Sequence, residues 1–293
     1  MADAQIGILA DNPPLARYLS FSLHSAEGIP NCLQELCEIT DGDSLVLGIG
    51  QSLVLALGKS IPGLRAFPVM TTPGLDIPST QTALWCWLRG TDRGELFHQS
   101  RLIEALLMPA FSLNECIDAF SFDQVRDLSG YEDGTENPQG NEAIEAAIVH
   151  GQGDGLDGSS FVAVQQWLHD FDTFDAMSSE QQDDTFGRHV DSNEEFDEAP
   201  ESAHVKRTAQ ESFEPEAFIL RHSMPWAEDT QGGLVFVAFG KSFDAFETIL
   251  NRMVGNEDGI QDALFSFTHP LSGGYFWCPP MKDGAVDFSA LGL

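Results

Sequence analysis

Asp133 lies in Gly130-Tyr131-Glu132-Asp133-Gly134-Thr135-Glu136-Asn137-Pro138, between two glycines that can take φ > 0 and turn the chain sharply without a Cβ clash. A backbone of this kind can approach a large flat ligand with one carboxylate aimed at it. Arg221, in Phe218-Ile-Leu-Arg221-His-Ser-Met-Pro-Trp226, ends an apolar run. Its guanidinium either snorkels over a sheet rim or enters a cavity facing Asp133. A carboxylate that moves a proton and a fixed guanidinium that stabilises developing negative charge are what heterolysis of a peroxide requires. His204 has no second histidine at metal-site spacing, so a zinc site is poorly supported, and a single imidazole suits an axial position on haem iron. His24, His98, His150, His169, His189 and His269 read as surface, strand-end or core-edge residues. Nucleophile elbow, Walker A and dinucleotide GxGxxG signatures are absent.

The elements that must position these residues follow from apolar periodicity. Strands are expected over 16–23, 44–50, 83–88 and 116–122, with helices over 31–39 and 94–107, giving the order β-α-β-β-α-β. Glycine-rich, acidic sequence over 151–158 reads as a linker, after which the pattern restarts. Strands over 160–168, 218–223, 234–239 and 275–278 alternate with helices over 172–178 and 243–253. The expected fold is α+β: two ferredoxin-like β-α-β-β-α-β units, 1–150 and 151–293, packed sheet against sheet into a barrel-like body. The stretch 177–201 reads as a long acidic loop, solvated or functional, with Glu194, Glu195, Asp197 and Glu198 as a remote divalent-cation site.

Composition sets the outer limits. A 42% hydrophobic content with 21 Phe in 293 residues can bury a real core, and a formal charge of -32 disfavours nucleic acid and anionic membrane as partners. No apolar run approaches the ~18 residues that would span a bilayer. Five cysteines without a CxxC pair, and an N-terminus without a secretion signal, suit a reducing, cytoplasmic compartment. The charge is a solvated surface or a steering field that gathers cationic and neutral reductants.

Taken together, Leu84-Trp-Cys-Trp-Leu-Arg-Gly90, Asp127-Leu-Ser-Gly-Tyr-Glu-Asp-Gly-Thr-Glu-Asn-Pro138, Ser202-Ala-His-Val-Lys-Arg207, Leu220-Arg-His-Ser-Met-Pro225, Gly233-Leu-Val-Phe-Val-Ala-Phe239 and Phe267-Thr-His-Pro-Leu-Ser-Gly-Gly-Tyr-Phe276 resemble the haem-containing dye-decolourising peroxidases, especially the compact bacterial members. The resemblance runs over nearly the whole chain. It implies haem b, hydrogen peroxide, and an aromatic or dye-like reductant oxidised in one-electron steps. His204 is then the proximal iron ligand, Asp262 the acid behind it, and Asp133 with Arg221 the distal pair. Arg188 is implied near a haem propionate, with Gly134, Thr135 and Asn137 closest to the porphyrin. Ser223 stands where some members carry a distal asparagine. The resemblance also implies a homo-oligomer, a dimer or larger, and raises cargo loading into an encapsulin shell, for which the tail Asp287 to Leu293 is short. A haem-binding or haem-handling protein without peroxidase turnover is the rival reading. It would share His204 but would not need Asp133 and Arg221 poised together. Trp226, Tyr131 and Tyr275 read as packing before they read as electron relays.

Overall fold

The computed structural model describes residues 3–123 and 125–293. The first set of elements is β1 (Leu15–Leu23), α1 (Ile29–Ile39), β2 (Leu45–Ile49), α2 (Gln51–Ala56), the hairpin β3 (Met70–Thr72) and β4 (Leu75–Ile77), β5 (Leu84–Gly90), α3 (Arg93–Leu107) and β6 (Phe111–Phe120). After α4 (Asn141–Ala147) come β7 (Ser160–His169), α5 (Phe171–Asp175), α6 (Ser179–Phe186), α7 (His204–Thr208), β8 (Leu220–Arg221) and β9 (Met224–Glu228). The chain ends with β10 (Gln231–Gly240), α8 (Asp244–Met253), β11 (Thr268–Pro270), β12 (Gly274–Cys278), β13 (Met281–Lys282) and β14 (Ala285–Val286).

Two sets of strands share one internal order. In the first, β1 lies between β5 and β6, with β2 outside β5; in the second, β7 lies between β10 and β12, with β9 outside β10. This is the ferredoxin-like repeat expected from the pattern. The two sheets form the barrel-like body expected. They meet edge to edge, β2 against β12 at Ile49↔Trp277 and β6 against β9 at Ala119↔Trp226, and so close a barrel. Closure gives the outer strands hydrogen-bonding partners that two stacked open sheets would leave exposed.

β2, β5 and β12 are buried on both faces. Tyr18, Trp85, Trp87, Val237, Phe239 and Phe276 fill the interior, whereas Leu19, Leu47 and Cys86 point outward to Leu33 and Leu36 of α1 and Ile103 and Leu107 of α3. Tyr18 and Trp85 stack with ring centroids 6.0 Å apart, and Trp85 and Phe276 continue the column at 6.0 Å. Because side chains alternate along a strand, β7 sends Gln165, Trp167 and His169 to the outer face, under α8.

Several boundaries move. The strand expected over 116–122 begins at Phe111 and ends at Phe120, because its exposed face carries polar residues that mask the period. The strand expected over 218–223 is a longer one interrupted at His222-Ser223. Arg221↔Ala238 and Met224↔Val235 keep one register across the break, and the His222 N–H still donates to the Val237 carbonyl at 2.8 Å. The acidic loop contains α6, started by a capping box in which Ser178 and Gln181 satisfy each other's backbone.

Trp277 is fully buried at the β2–β12 seam. Trp277→Ala should cost about 3–5 kcal/mol, seen as a lower denaturant midpoint; an unchanged midpoint would mean that this seam contributes nothing to stability.

Candidate active site

A cleft on the outer face of β7 and β10 is covered by α7, α8 and the segment that follows β6. It contains about 1560 Å³ free of protein atoms, open mouth included. Trp167, Leu234, Phe236, Phe246, Leu250 and Met253 supply much of its apolar wall, and the polar groups converge from its two sides. In α8 the spacing Phe246, Ile249, Leu250, Met253 puts the apolar stripe on the cleft, with Asp244 and Glu247 in the first turn.

His204 opens α7 at the cleft wall. Its Nδ1 lies 2.8 Å from Oδ2 of Asp262, whose side chain is fully buried. The other Asp262 oxygen accepts the Leu264 N–H at 2.9 Å, which fixes the carboxylate. An imidazole that donates Nδ1–H to a carboxylate presents Nε2 as a lone-pair donor and is made more basic. Among the described residues, no hydrogen bond occupies that Nε2.

Asp133 and Arg221 meet in the same cleft, Nη1 to Oδ1 at 3.3 Å. Oδ1 also accepts the Gly134 N–H at 2.7 Å, so Oδ2 is the oxygen without a partner among the described residues. Arg221 Nε is buried and unpaired, and so are Gln165 Nε2 and Trp167 Nε1. Buried donors usually have partners. Three orphaned N–H groups on residues of one cleft suit a bound group that brings acceptors.

The neighbours assigned from sequence are placed unequally. Gly134 and Thr135 line the cleft, with Thr135 Oγ1 2.9 Å from Asn193 Nδ2. Arg188 lines it too, but its guanidinium already holds Glu136 at 2.8 Å and Glu195 at 3.2 Å and donates to the Asn193 carbonyl. A ligand carboxylate there would share Arg188 or displace those partners. Asn137 does not line the cleft. Its Nδ2 donates to the Arg221 carbonyl at 2.8 Å and its Oδ1 accepts the Arg221 N–H at 3.0 Å, clamping β8 by both backbone groups. Gly130 is a turn residue with φ 91, and its N–H closes onto the Asp127 carbonyl away from the cleft. Gly134, φ 79, is the glycine that puts bare backbone in the wall.

The remote cation site is not formed. Glu195 is bound to Arg188, and among the described residues no group of three acids, histidines or cysteines could hold a metal ion. Sequence reasoning gave no part in the cleft to Tyr131 and His169. Tyr131 donates its hydroxyl to Asp183 at 2.5 Å and stacks on Phe186 with centroids 3.8 Å apart. Burial, then the Asp183 hydrogen bond and charge, raise its ionisation well above the phenol range. His169 is paired with Asp127 at 3.1 Å. The strand period from Ser160, carried to its end, was the available signal for His169.

The family model described as "Dyp-type peroxidase, C-terminal" matches residues 124–283. The dye-decolorizing peroxidase of Brevibacterium linens is 31% identical over 208 residues, 69% of this chain, so the match spans 57% of that protein's length. A solved Shewanella oneidensis protein assigned to the Dyp-type peroxidases superposes with a TM-score of 0.88 at 29% identity, covering 96% of this chain and 97% of that one. A DypB variant from Rhodococcus jostii, solved in complex with haem, shares the fold at 24% identity and a TM-score of 0.82, over 93% of this chain and 94% of that one. The matched segment takes in more than half of the 293 residues and contains both Asp133–Arg221 and His204–Asp262. The chain that brings these two pairs to one cleft therefore belongs to the Dyp-type peroxidase family.

Proposed function

We propose that this protein is a haem b peroxidase that reduces hydrogen peroxide and takes electrons singly from aromatic or dye-like reductants. One observation carries the reading: an imidazole with a free Nε2 and a carboxylate–guanidinium pair stand on the walls of the same apolar cleft. The residues fit the cofactor. His204 would hold the iron, the wall of Phe236, Phe246, Leu250 and Met253 would receive the macrocycle, and Arg188 would meet a carboxylate edge. When bound, haem supplies the metal and the redox equivalents on which peroxide is cleaved.

The protein's part is proton and charge handling. Asp133 takes the proton of the inner peroxide oxygen on Oδ2 and returns it to the outer, departing oxygen. Arg221 stabilises the negative charge that develops on that oxygen, and its orphaned Nε adds a donor. Asn137 holds Arg221 in register with the loop that carries Asp133. Asp262 keeps His204 in one tautomer and orientation. Contact between Asp133 and Arg221 supports turnover over a protein that only holds haem, which has no use for the pair.

The acidic rim narrows the reductant class. Glu132, Glu136, Glu195 and Glu211 line the cleft beside a single arginine on that side, Arg188, which two of them already neutralise. Cationic and neutral aromatics are therefore the favoured reductants. All five cysteines are free thiols, which supports a cytoplasmic setting, and a homo-oligomer completes the reading.

His204→Ala should abolish the normal haem absorption bands while the fold persists; full haem content with an unaltered spectrum would remove His204 from the axial role. Asp133→Asn and Arg221→Leu should each slow peroxide cleavage by roughly 10²- to 10³-fold with haem still bound. Asn137→Ala should give a smaller loss, because it strands the Arg221 backbone without removing its charge. Stopped-flow mixing with peroxide reads all three, and wild-type rates in both Asp133→Asn and Arg221→Leu would end the distal-pair proposal. Raising salt from 10 to 200 mM should speed oxidation of an anionic dye and slow that of a cationic one. Equal responses would dismiss steering.

A further inference from the structure

We infer that His169 is a positioning residue: through Nε2–H and Asp127 it ties the turn that carries Asp133 to the barrel. His169 ends β7 in the cleft wall with its side chain 5% exposed. Nδ1 lies 2.7 Å from Thr268 Oγ1, and Nε2 lies 3.1 Å from Asp127 Oδ1. The Thr268 hydroxyl also lies 3.0 Å from the Leu168 carbonyl, so its one proton can go to that carbonyl or to Nδ1. The Asp127 carboxylate can only accept, and its Oδ2 already takes the Ser129 N–H at 2.9 Å. The proton in the Asp127 contact is therefore on Nε2, and Nδ1 meets the Thr268 hydroxyl.

The surroundings make the pair mutually dependent. Phe171 and Phe267 pack against the ring at 5.6 and 5.5 Å and offer no countercharge. Of the neighbouring titratable groups, Asp170 is turned to the Thr173 N–H and hydroxyl, Tyr131 to Asp183, and His269 to solvent. Asp127 is the charged group in contact with the ring. Burial acts to raise Asp127, but the His169 hydrogen bond and charge, with the Ser129 donors, hold it below the usual carboxylate range.

Asp127 is also the centre of the turn. Its N–H donates to the Tyr131 carbonyl, its carbonyl accepts the Gly130 N–H, and the Asp133 N–H closes the same unit onto the Val125 carbonyl, each at 2.9 Å. Holding Asp127 therefore holds the backbone of Asp133. The consequence for peroxide rests on the peroxidase reading above, whereas the tether does not.

Ring-nitrogen NMR of the histidine-labelled, full-length chain at pH 7, with and without haem, should show a proton on Nε2 of His169; a bare Nε2 would overturn the tie to Asp127. Amide exchange in 125–134 should be about 10- to 100-fold faster in His169→Phe, with α8 unchanged. Wild-type exchange in that turn would overturn the tether. Asp127→Asn is read in the same way if His169→Phe does not fold. With haem bound, His169→Phe should slow peroxide cleavage about tenfold in the wild-type background and not at all in Asp133→Asn, and a full additional loss there would show that His169 acts elsewhere. The NMR and exchange results stand even for a chain that never turns over peroxide.

Discussion

Closure of the barrel at the β6–β9 seam is the constraint on which the site depends. Asp133 follows the first set of strands and Arg221 belongs to the second, so their meeting requires the end of β6 to be delivered beside β9. Ala119↔Trp226 does this, and the Trp226 indole ties β9 back to β7 by donating to the Trp167 carbonyl at 2.9 Å. Chain leaving β6 then has a short route across the outer face of the second set of strands, where α7 and α8 form the opposite wall. A stacked pair of open sheets would have faced these surfaces into a core.

Delivery alone does not fix a loop to the accuracy that proton transfer needs. The segment from Asp127 to Asn137 is held at both ends, by His169 at the start and by the Asn137 clamp on Arg221 at the finish. Gln210 adds a third bond set between them. It donates to the Glu136 carbonyl at 3.0 Å and accepts the Ile219 N–H at 2.8 Å, so the loop and the strand carrying Arg221 hang on one buried amide. Side chain to backbone bonds of this kind move loop and strand together, which a contact between two charged tips would not.

Much of this was legible in the sequence because period and chemistry agreed. The apolar stripe of α8, the two-residue period of β7, and Asp133, Arg221, His204 and Asp262 each carried their signal within a few neighbouring residues or in a family motif. What stayed hidden depends on distant partners. The edge-to-edge seams rest on strand edges, which a hydrophobic pattern does not describe. The resemblance placed Asn137 against the ligand, yet its amide reaches a residue 84 positions away. His169 looked ordinary: the period of β7 gives its face, but its partners come from β11 and from the turn after β6. The capping box of α6 was present in Ser178 to Gln181 but was outweighed by the surrounding acidic residues.

The charge of -32 bears on the distal pair in a way that its surface reading does not capture. Arginines of the cleft and its supports are committed: Arg188 to Glu136 and Glu195, Arg207 to Asp258, and Arg221 to Asp133. The Asp133–Arg221 pair is close to neutral as a unit, so uncharged peroxide enters without displacing a counterion. On the proposed reading, Asp133 loses its charge when it accepts the peroxide proton, and that of Arg221 becomes uncompensated. This coincides with the development of negative charge on the departing oxygen. On that reading, proton acceptance by one residue switches on the electrostatic assistance of the other. A fixed cation without Asp133 would instead attract anions in the resting state, and Asp133 without Arg221 would face the developing charge with no compensation.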